Sequence, residues 1–215
     1  GWHRGPSFLY RRDGERFQTE PLDLVPGLWI PSWLDVDGDG DRDLLLGGDD
    51  AILYLNVHGR LERGALPLAE GTSLPNRIIR EYVPGDLNND GLVDLYVLCT
   101  GVESGTAQSG DFILWAEPDG TFRPDTDHVP ASLGARLGFD AVVVDIDGNG
   151  WLDVYVDNDK FGPNVALFND QGALSDASDT CLCALAHAGM GVDVADLNGD
   201  GAPDFYLAGT EINRL

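Results

Sequence analysis

Short apolar runs, rich in β-branched and aromatic residues, recur along the chain, and acidic or glycine-rich stretches separate them. Clear examples are GFDAVVV at 138–144, WLDVYV at 151–156 and VALF at 165–168. Runs of this length between turn residues are typical of β-strands. The 28 glycines and the lack of a 3.6-residue apolar period argue against a helical repeat. The pattern therefore predicts an all-β chain.

The apolar runs follow one another in a fixed order. One strand leads into an acidic segment, a second strand leaves it, a third strand follows, and a fourth, weaker strand comes after a turn. The third strands are the easiest to recognise, at 52–57, 111–117 and 164–170. Four antiparallel strands in each repeat are typical of a β-propeller blade. We therefore expect blades near residues 22–75, 76–130, 131–185 and 186–215.

The first 21 residues have the pattern of the outer half of a blade. SFLYRRDGERFQTEP predicts a third strand, a turn at Asp13 and Gly14, and a fourth strand. The last repeat shows only its first two strands. Either residues 1–21 or residues outside the chain are therefore expected to complete the blade of 186–215. The chain is accordingly a single propeller region or a segment of a larger propeller.

Four acidic segments with one nine-residue pattern lie between the first and second strands. They are DVDGDGDRD at 35–43, DLNNDGLVD at 86–94, DIDGNGWLD at 145–153 and DLNGDGAPD at 196–204, and we call them acidic loops 1 to 4. All have Asp at position 1, Asp or Asn at positions 3 and 5, Gly at position 6 and Asp at position 9. Their first residues are spaced by 51, 59 and 51 residues, so the chain is a repeat protein.

This spacing of oxygen-bearing residues predicts a calcium ion in each loop, about four in all. Calcium takes six to eight oxygen ligands, and alternate residues of a tight loop can direct oxygens at one centre. Glycine at position 6 permits the turn, and position 7 offers its backbone carbonyl. The predicted ligands are Asp35, Asp37, Asp39, Asp41 and Asp43; Asp86, Asn88, Asp90, Leu92 and Asp94; Asp145, Asp147, Asn149, Trp151 and Asp153; and Asp196, Asn198, Asp200, Ala202 and Asp204.

Other interpretations of the loops are disfavoured. An EF-hand needs a Glu at position 12, but the residues there are Leu46, Val97, Val156 and Leu207. The loops contain no soft ligand, which argues against zinc and copper, and magnesium prefers a stricter octahedral geometry. The remaining alternative is a set of Asx-rich turns that hold no metal, because Asp, Asn and Gly are ordinary turn residues.

The chain has 37 acidic and 13 basic side chains and a net charge of −24. Four divalent cations would add eight positive charges and leave −16, which relieves part of the self-repulsion that opposes folding.

The negative charge argues against nucleic acid or an anionic membrane as partner, and no apolar run is long enough for membrane insertion. An acidic, calcium-dependent fold suits an extracellular, cell-surface or periplasmic location.

The cysteines and aromatic residues lead to further expectations. Cys99 ends an apolar strand and is expected to be a buried thiol. Cys181 and Cys183 would face opposite sides of a strand, so we do not expect them to pair with each other. Most aromatic residues are expected to pack between blades, Tyr96, Tyr155 and Tyr206 at equivalent core positions, with a carbohydrate platform as the alternative. The set is Trp29, Trp33, Trp115, Trp151, Tyr54, Tyr96, Tyr155 and Tyr206.

The segments at 136–156 and 189–209 resemble FG-GAP and VCBS-type repeats, the calcium-binding blades of integrin-α-like β-propellers. With RGPSFLYRRDGERF and NVALFNDQGAL, the chain is also similar to relatives of cartilage acidic protein that carry ASPIC/UnbV-type regions. The resemblance covers nearly all of the chain. It implies seven or eight blades in the intact protein, calcium in each loop and a surface or extracellular location. The chain departs from the pattern by the insertion TGVESGTAQSG at 100–110.

The sequence contains no recognisable nucleophile, zinc-protease, phosphate-binding or dinucleotide-binding motif. A carboxylate that ligates calcium is also a poor general acid. We therefore predict a non-enzymatic module for binding, adhesion or assembly, with structural calcium and a protein or carbohydrate partner at the cell surface. Self-assembly of copies is a further expectation. The alternative is a non-catalytic or scaffold part of a secreted hydrolase or lyase.

Overall fold

Sixteen strands and one short helix lie in the part of the chain that the computed structural model describes: residues 7–22, 30–48, 51–100, 110–130, 137–159, 162–181, 183 and 188–210. The strands up to residue 125 are β1 (Ser7–Asp13), β2 (Arg16–Leu22), β3 (Pro31–Leu34), β4 (Asp43–Leu46), β5 (Ile52–Val57), β6 (Arg60–Gly64), β7 (Ile78–Gly85), β8 (Asp94–Thr100), β9 (Phe112–Ala116) and β10 (Phe122–Asp125). The remaining elements are β11 (Leu137–Val144), β12 (Asp153–Asp159), β13 (Val165–Asp170), β14 (Ala173–Asp176), α1 (Ser178–Cys181), β15 (Gly189–Ala195) and β16 (Asp204–Gly209).

Antiparallel pairing groups these strands into blades. Strands β3 to β6 form a four-stranded sheet in chain order, which we call blade 1. Strands β7 to β10 form blade 2 and β11 to β14 form blade 3. Two further pairs stand alone, the half-blade β15–β16 and the hairpin β1–β2. The predicted all-β fold of four-stranded antiparallel blades is thus confirmed.

Tight turns close the outer strand pairs of blades 1 and 3. His58 and Gly59 have φ values of 51° and 86°, and Gln171 and Gly172 have values of 57° and 89°. Positive φ at both central residues is typical of the type I′ turn, whose twist matches that of the strands it joins. The glycine in each pair takes this conformation without steric cost.

Apolar side chains fill the space between successive blades. One layer lies between blades 1 and 2, a second between blades 2 and 3, and a third between blade 3 and the half-blade. Buried members of the three layers are Leu45 and Leu114, Tyr96 and Leu167, and Tyr155 and Leu207. A fully buried side chain of this size stabilises a fold by about 1.5–3 kcal/mol. The blades are therefore held face to face mainly by these layers.

The tyrosines two residues after the closing aspartates differ in burial. Tyr96 and Tyr155 are 0% and 2% exposed, but Tyr206 is 43% exposed. The expectation that all three lie in the core is therefore wrong for Tyr206. Tyr96 and Tyr155 are each covered by the next repeat, whereas no further blade follows β16 in the described part of the chain.

The cysteines correct one expectation. Cys181 and Cys183 form a disulfide with each other, with a Cα–Cα distance of 5.2 Å. Our expectation that they would not pair assumed a strand, but Cys181 ends the helix α1, where side chains do not alternate between two sides. Cys99 is a buried free thiol, as predicted.

Side chains connect the first strands of neighbouring repeats. The guanidinium of Arg80 lies 3.8 Å from the ring centre of Phe139, and these two residues sit at equivalent bulges of β7 and β11. Glu81 Oε2 accepts the N–H of Ala141 at 3.3 Å. Burial, and secondly the neighbouring carboxylate of Asp140, raise the pKa of Glu81 to about 9.

Asp111 has a comparable role within blade 2. Its Oδ2 accepts the Tyr96 hydroxyl at 2.5 Å and its Oδ1 accepts the N–H of Cys99 at 2.8 Å. Burial raises the pKa of Asp111 to about 6, although these two hydrogen bonds and the charge of Arg77 act in the opposite direction. In blade 3, Asn164 fills the equivalent place and donates to the Tyr155 hydroxyl at 3.1 Å.

We predict that Asp111→Asn stabilises the protein at neutral pH. The raised pKa means that the stability contributed by protonated Asp111 is complete below about pH 4 and is lost as the pH rises through about 6. The loss is at most about 3 kcal/mol, since one pKa unit corresponds to about 1.4 kcal/mol. Thermal unfolding at pH 4 and at pH 7 measures this pH-dependent loss of stability. The matched control variant is Asn164→Asp. A larger loss for Asp111→Asn than for wild type over this range contradicts the prediction.

We predict that Glu81→Gln flattens the stability profile at higher pH. Because the folded-state pKa of Glu81 is about 9, its contribution is present below pH 4.5 and declines as the pH rises towards 9. Glutamine keeps the oxygen that accepts from Ala141 and does not ionise. The variant should melt at least about 2 °C above wild type at pH 9, roughly 1 kcal/mol in a chain of this size. The exposed Glu62→Gln serves as control, and equal melting curves at pH 9 would refute the role of Glu81.

Candidate metal centres

Each acidic loop joins the first strand of its repeat to the second. Loop 1 lies between β3 and β4, loop 2 between β7 and β8, loop 3 between β11 and β12, and loop 4 between β15 and β16. Strands therefore flank all four loops, as predicted, and the loops are not EF-hands. The side chains at positions 1, 3, 5 and 9 accept hydrogen bonds from backbone N–H groups in a pattern that recurs from loop to loop.

The aspartate at position 1 organises the turn. In loop 3, Asp145 Oδ1 accepts the N–H of Gly148 at 2.8 Å and Oδ2 accepts the N–H of Gly150 at 2.9 Å. A similar pair of bonds, each to an N–H three to five residues ahead, is made by Asp35, Asp86 and Asp196. Both oxygens of this aspartate are thereby held towards the inside of the loop.

The residues at positions 3 and 5 each accept the N–H two residues ahead. In loop 3, Asp147 Oδ1 accepts from Asn149 at 3.0 Å, and Asn149 Oδ1 accepts from Trp151 at 2.7 Å. The same bonds span 2.8–3.2 Å in the other loops. An amide oxygen accepts as well as a carboxylate oxygen, so Asn88 and Asn198 preserve the turn at position 3. The loops are therefore built from Asx turns, and this geometry can form whether or not a metal ion is bound.

Two positions of each loop adopt positive φ. The glycines at position 6 have φ between 86° and 90°, which confirms the conformation predicted for them. Position 4 also has positive φ, between 55° and 78°, which the sequence reasoning missed. The signal was present, because position 4 is always Gly or Asn, the residues that tolerate this conformation best. The position-4 residues are Gly38, Asn89, Gly148 and Gly199.

The closing aspartate at position 9 connects the loop to the third strand. Asp153 is buried; its Oδ2 accepts the N–H of Ile146 in the loop and its Oδ1 accepts the N–H of Asn169 in β13, each at 2.7 Å. Asp43 and Asp94 are equally buried and make the same two bonds at 2.7–3.0 Å. The sequence predicted only a ligand here and missed the bond to the third strand, which lies 13 to 22 residues further along.

Carboxylate oxygens converge in two of the loops. Oxygens of Asp35, Asp37 and Asp39 lie within 4.8 Å of one another in loop 1, and those of Asp145, Asp147 and Asp153 do so in loop 3. Loops 2 and 4 have an asparagine at position 3, so their donor sets contain one carboxylate fewer at that position. The backbone N–H at position 7 donates to the side-chain oxygen at position 5 in every loop. The position-7 residues are Asp41, Leu92, Trp151 and Ala202.

The loops hold charged groups in two different environments. Burial raises the pKa of Asp94 to about 6 and also raises the pKa of Asp153. At the exposed positions of loop 4, backbone hydrogen bonds lower the pKa of Asp196 and of Asp200. A carboxylate buried near other carboxylates is unfavourable unless hydrogen bonds or a cation stabilise its charge.

The chemistry of the donor set fits calcium. All side-chain donors in the four loops are carboxylate or amide oxygens, the hard ligands that calcium prefers. Carboxylates that already accept N–H groups keep further lone pairs for a cation. The backbone sets the orientation of these oxygens, and the donor types present are those that fit a divalent cation.

An open cleft separates acidic loops 3 and 4. It has a volume of 680 Å³, with apolar walls that include Ile146, Leu152 and Pro203 and a rim that includes Asp147 and Asp200. The aromatic residues of the alternative carbohydrate platform are not among the described residues that line this cleft. Trp115 and Tyr54 are buried and Trp33 is exposed, whereas Trp29 lies outside the described residues.

None of the helices in the described residues is long and apolar enough to cross a membrane. A search of the curated proteins finds no match to this chain. Among solved structures, the chain is similar to a lectin from Agrocybe aegerita described as specifically recognising non-reducing terminal N-acetylglucosamine. The TM-score is 0.52 at 18% identity, over 93% of this chain and 54% of the lectin chain. The chain thus spans about half the length of that structure, and the likeness shows the fold alone.

The family model that matches is that of the FG-GAP-like repeat, in two overlapping stretches, 35–97 and 86–156. The first stretch runs from the start of acidic loop 1 through loop 2, and the second runs from loop 2 through loop 3. Together they cover more than half of the 215 residues. From the matched repeats, the three blades and the recurring loops, we conclude that this chain belongs to the FG-GAP-like repeat family.

Proposed function

We propose that the chain is an extracellular or cell-surface binding module, a β-propeller that four calcium ions stabilise and that does not itself catalyse a reaction. The observation that supports this most is the fourfold recurrence of one hydrogen-bonded oxygen arrangement between the first and second strands. A turn needs only a few of these residues, whereas a cation site needs oxygen donors at all of positions 1, 3, 5 and 9.

Calcium would be held by the side-chain oxygens at positions 1, 3, 5 and 9 and by the carbonyl at position 7. Its charge would offset the repulsion among carboxylates such as Asp145, Asp147 and Asp153. The closing aspartates would extend this stabilisation beyond the loop, because they also accept N–H groups from the third strands. Binding in the loop is therefore expected to stabilise three of the four strands of a blade.

The partner is proposed to be a protein or a carbohydrate. A fold shared with a lectin supports the carbohydrate class, and the cleft between acidic loops 3 and 4 offers apolar walls beside polar groups. Such a combination suits the apolar face and the hydroxyl groups of a sugar. Binding would depend on calcium, because the cleft is built from two acidic loops.

We predict that calcium removal destabilises the fold. Ligand present at 100 times its dissociation constant stabilises a protein by about 2.7 kcal/mol per site. Melting curves of the calcium-loaded protein with and without excess EGTA should therefore differ by many degrees, and native mass spectrometry should count about four ions. Identical melting curves would remove the structural role from the proposal.

We predict that Asp147→Asn weakens calcium binding in loop 3 without destabilising the metal-free protein. An asparagine at this position preserves the turn, as Asn88 and Asn198 show by accepting at 3.0 Å and 2.8 Å. The lost charge should lower the affinity of one site roughly tenfold. Calorimetric titration measures the affinity and melting in EGTA measures the fold. The matched variant Asn198→Asp should raise affinity in loop 4, and unchanged affinities in both variants would contradict the ligand assignment.

We predict calcium-dependent binding to at least one class of glycan. The full chain, labelled and applied to a glycan array with calcium, should bind glycans that include terminal N-acetylglucosamine, and excess EGTA should abolish the signal. Leu152→Arg, which places a charge in the wall of the cleft, should reduce binding while the calcium stoichiometry is retained. An array without signal above an unrelated acidic protein would exclude the carbohydrate class and leave a protein partner.

A further inference from the structure

One buried amide side chain, that of Asn169 in β13, contacts two acidic loops. The residue is 1% exposed. Its N–H donates to Asp153 Oδ1 at 2.7 Å, and its carbonyl accepts from Asn149 Nδ2 at 3.0 Å. Its Nδ2 donates to the carbonyls of Leu87 and Leu152, each at 2.8 Å. Because Leu152 belongs to loop 3 and Leu87 to loop 2, the amide bridges the two loops.

On the side of acidic loop 3, Asn169 binds two of the predicted calcium ligands. Asp153 is the closing aspartate at position 9, and Asn149 is the ligand at position 5. Asn149 donates through its Nδ2, and its Oδ1 accepts the N–H of Trp151 at 2.7 Å. The position of Asn169 therefore helps to set the orientation of both ligand side chains.

On the side of acidic loop 2, Asn169 reaches the closing aspartate through one buried residue. Leu87 is at position 2 of this loop and is fully buried. Its carbonyl accepts from Asn169, and its N–H donates to Asp94 Oδ2 at 3.0 Å. A continuous line of hydrogen bonds therefore runs from Asp94 through Leu87 and Asn169 to Asp153. It joins the buried carboxylates of two neighbouring loops.

A second side chain joins the same two loops. Asn89, at position 4 of loop 2, donates its Nδ2 to the carbonyl of Gly150 in loop 3 at 3.2 Å. The N–H of Gly150 is in turn held by Asp145 at 2.9 Å. Asn89 has a φ of 55°, a conformation that glycine adopts more easily. The other three loops have glycine at position 4 and offer no side chain for such a bond.

Acidic loops 1 and 2 lack both links. The strand position of Asn169 is occupied in blade 2 by Ala116, whose N–H binds Asp94 but which has no side-chain amide. Position 4 of loop 1 is Gly38. Among the residues that the structure describes, no hydrogen bond joins loop 1 to loop 2. Loops 2 and 3 are thus a connected pair, and loop 1 is separate from them.

We propose that Asn169 and Asn89 couple acidic loops 2 and 3, so that calcium bound in either loop raises the affinity of the other. This coupling rests on the calcium sites of the proposed function. Binding in loop 3 orders Asn149 and Asp153, and these hold Asn169 and, through it, Leu87. Loop 2 is then partly ordered before it binds, so its binding loses less conformational entropy. The effect is reciprocal, because coupling between two binding sites acts equally in both directions.

Charge acts against this coupling. Loops 2 and 3 each contain three aspartates, so a cation in one loop makes the neighbouring loop less attractive to a second cation. Salt screens exposed charges over about 8 Å at physiological ionic strength, but it screens buried groups much less. Measurements at that ionic strength therefore favour the contribution of the buried hydrogen bonds of Asn169.

Nuclear magnetic resonance of the full chain during a calcium titration tests the coupling, because it gives a separate binding curve for each loop. The N–H at position 7 reports its own loop, so Asp41, Leu92 and Trp151 are the probes for loops 1, 2 and 3. Asp90→Asn should weaken loop 2 and keep its turn, since Asn149 makes the same turn in loop 3. We expect this change to raise the half-saturating calcium concentration of loop 3 roughly fivefold or more and to leave that of loop 1 unchanged.

Asn169→Ala should abolish the effect of Asp90→Asn on loop 3. Alanine keeps the backbone bonds to loop 3 and occurs naturally at the equivalent position as Ala116. The matched control is Asn56→Ala, because Asn56 and Asn169 each donate to their own loop and accept one N–H of the following turn at 2.8 Å. Among the described residues, Asn56 makes no bond equivalent to that between Asn169 and Leu87. A direct effect of the lost charge is common to all backgrounds and cancels in the comparison.

Asn89→Gly is a second variant, at an exposed position where the other loops have glycine. It should make the shift of loop 3 smaller, and it decides the question alone if Asn169→Ala does not fold: an undiminished shift then overturns the coupling.

Three further results overturn the proposal. If Asp90→Asn leaves the binding curve of loop 3 unchanged, the coupling is wrong and the calcium sites stand. If the shift of loop 3 is equal in Asn169→Ala and Asn56→Ala, the bridge is not its cause. If calcium moves none of the probes, including Asp41 in the separate loop 1, the calcium sites and the coupling are both wrong.

Discussion

The buried carboxylate at the end of acidic loops 1 to 3 is the interaction on which the complete blades depend. Asp43, Asp94 and Asp153 are withdrawn from water and bind two backbone N–H groups, one in their own loop and one in the third strand. A buried carboxylate without such partners would cost several kcal/mol. The same side chain therefore fixes the loop, aligns the third strand and places an oxygen at the proposed cation site.

This arrangement explains why metal and fold are expected to be coupled. The loop alone is a set of Asx turns, which local hydrogen bonds can hold. The closing aspartate joins that local unit to a strand far along the chain, and the apolar layers then pack blade on blade. A change of charge in the loop is therefore expected to change the stability of the second and third strands. In the half-blade, Tyr206 and Leu197 are exposed, because no further blade covers that face in the described part of the chain.

The sequence predicted the features that depend on residues close together in the chain. The four-strand order, the loop positions between strands and the positive φ of the position-6 glycines all come from local patterns, and all are confirmed. Contacts between distant residues were not predictable in this way. The bond from Asp153 to Asn169 and the contact between Glu81 and the N–H of Ala141 require knowledge of which strands are neighbours. The disulfide between Cys181 and Cys183 was missed for another reason, an incorrect assignment of local secondary structure.

Hydrogen exchange of individual amides in the Asp153→Asn variant tests the coupling most directly. Asparagine keeps one accepting oxygen and replaces the other with a donor, so it cannot hold both N–H groups. The account predicts that the amides of Ile146 and Asn169 lose protection together, while Leu87 and Ala116, held by the intact Asp94, exchange as in wild type. Unchanged protection of both Ile146 and Asn169 would contradict the claim that the closing aspartate holds the loop to the third strand.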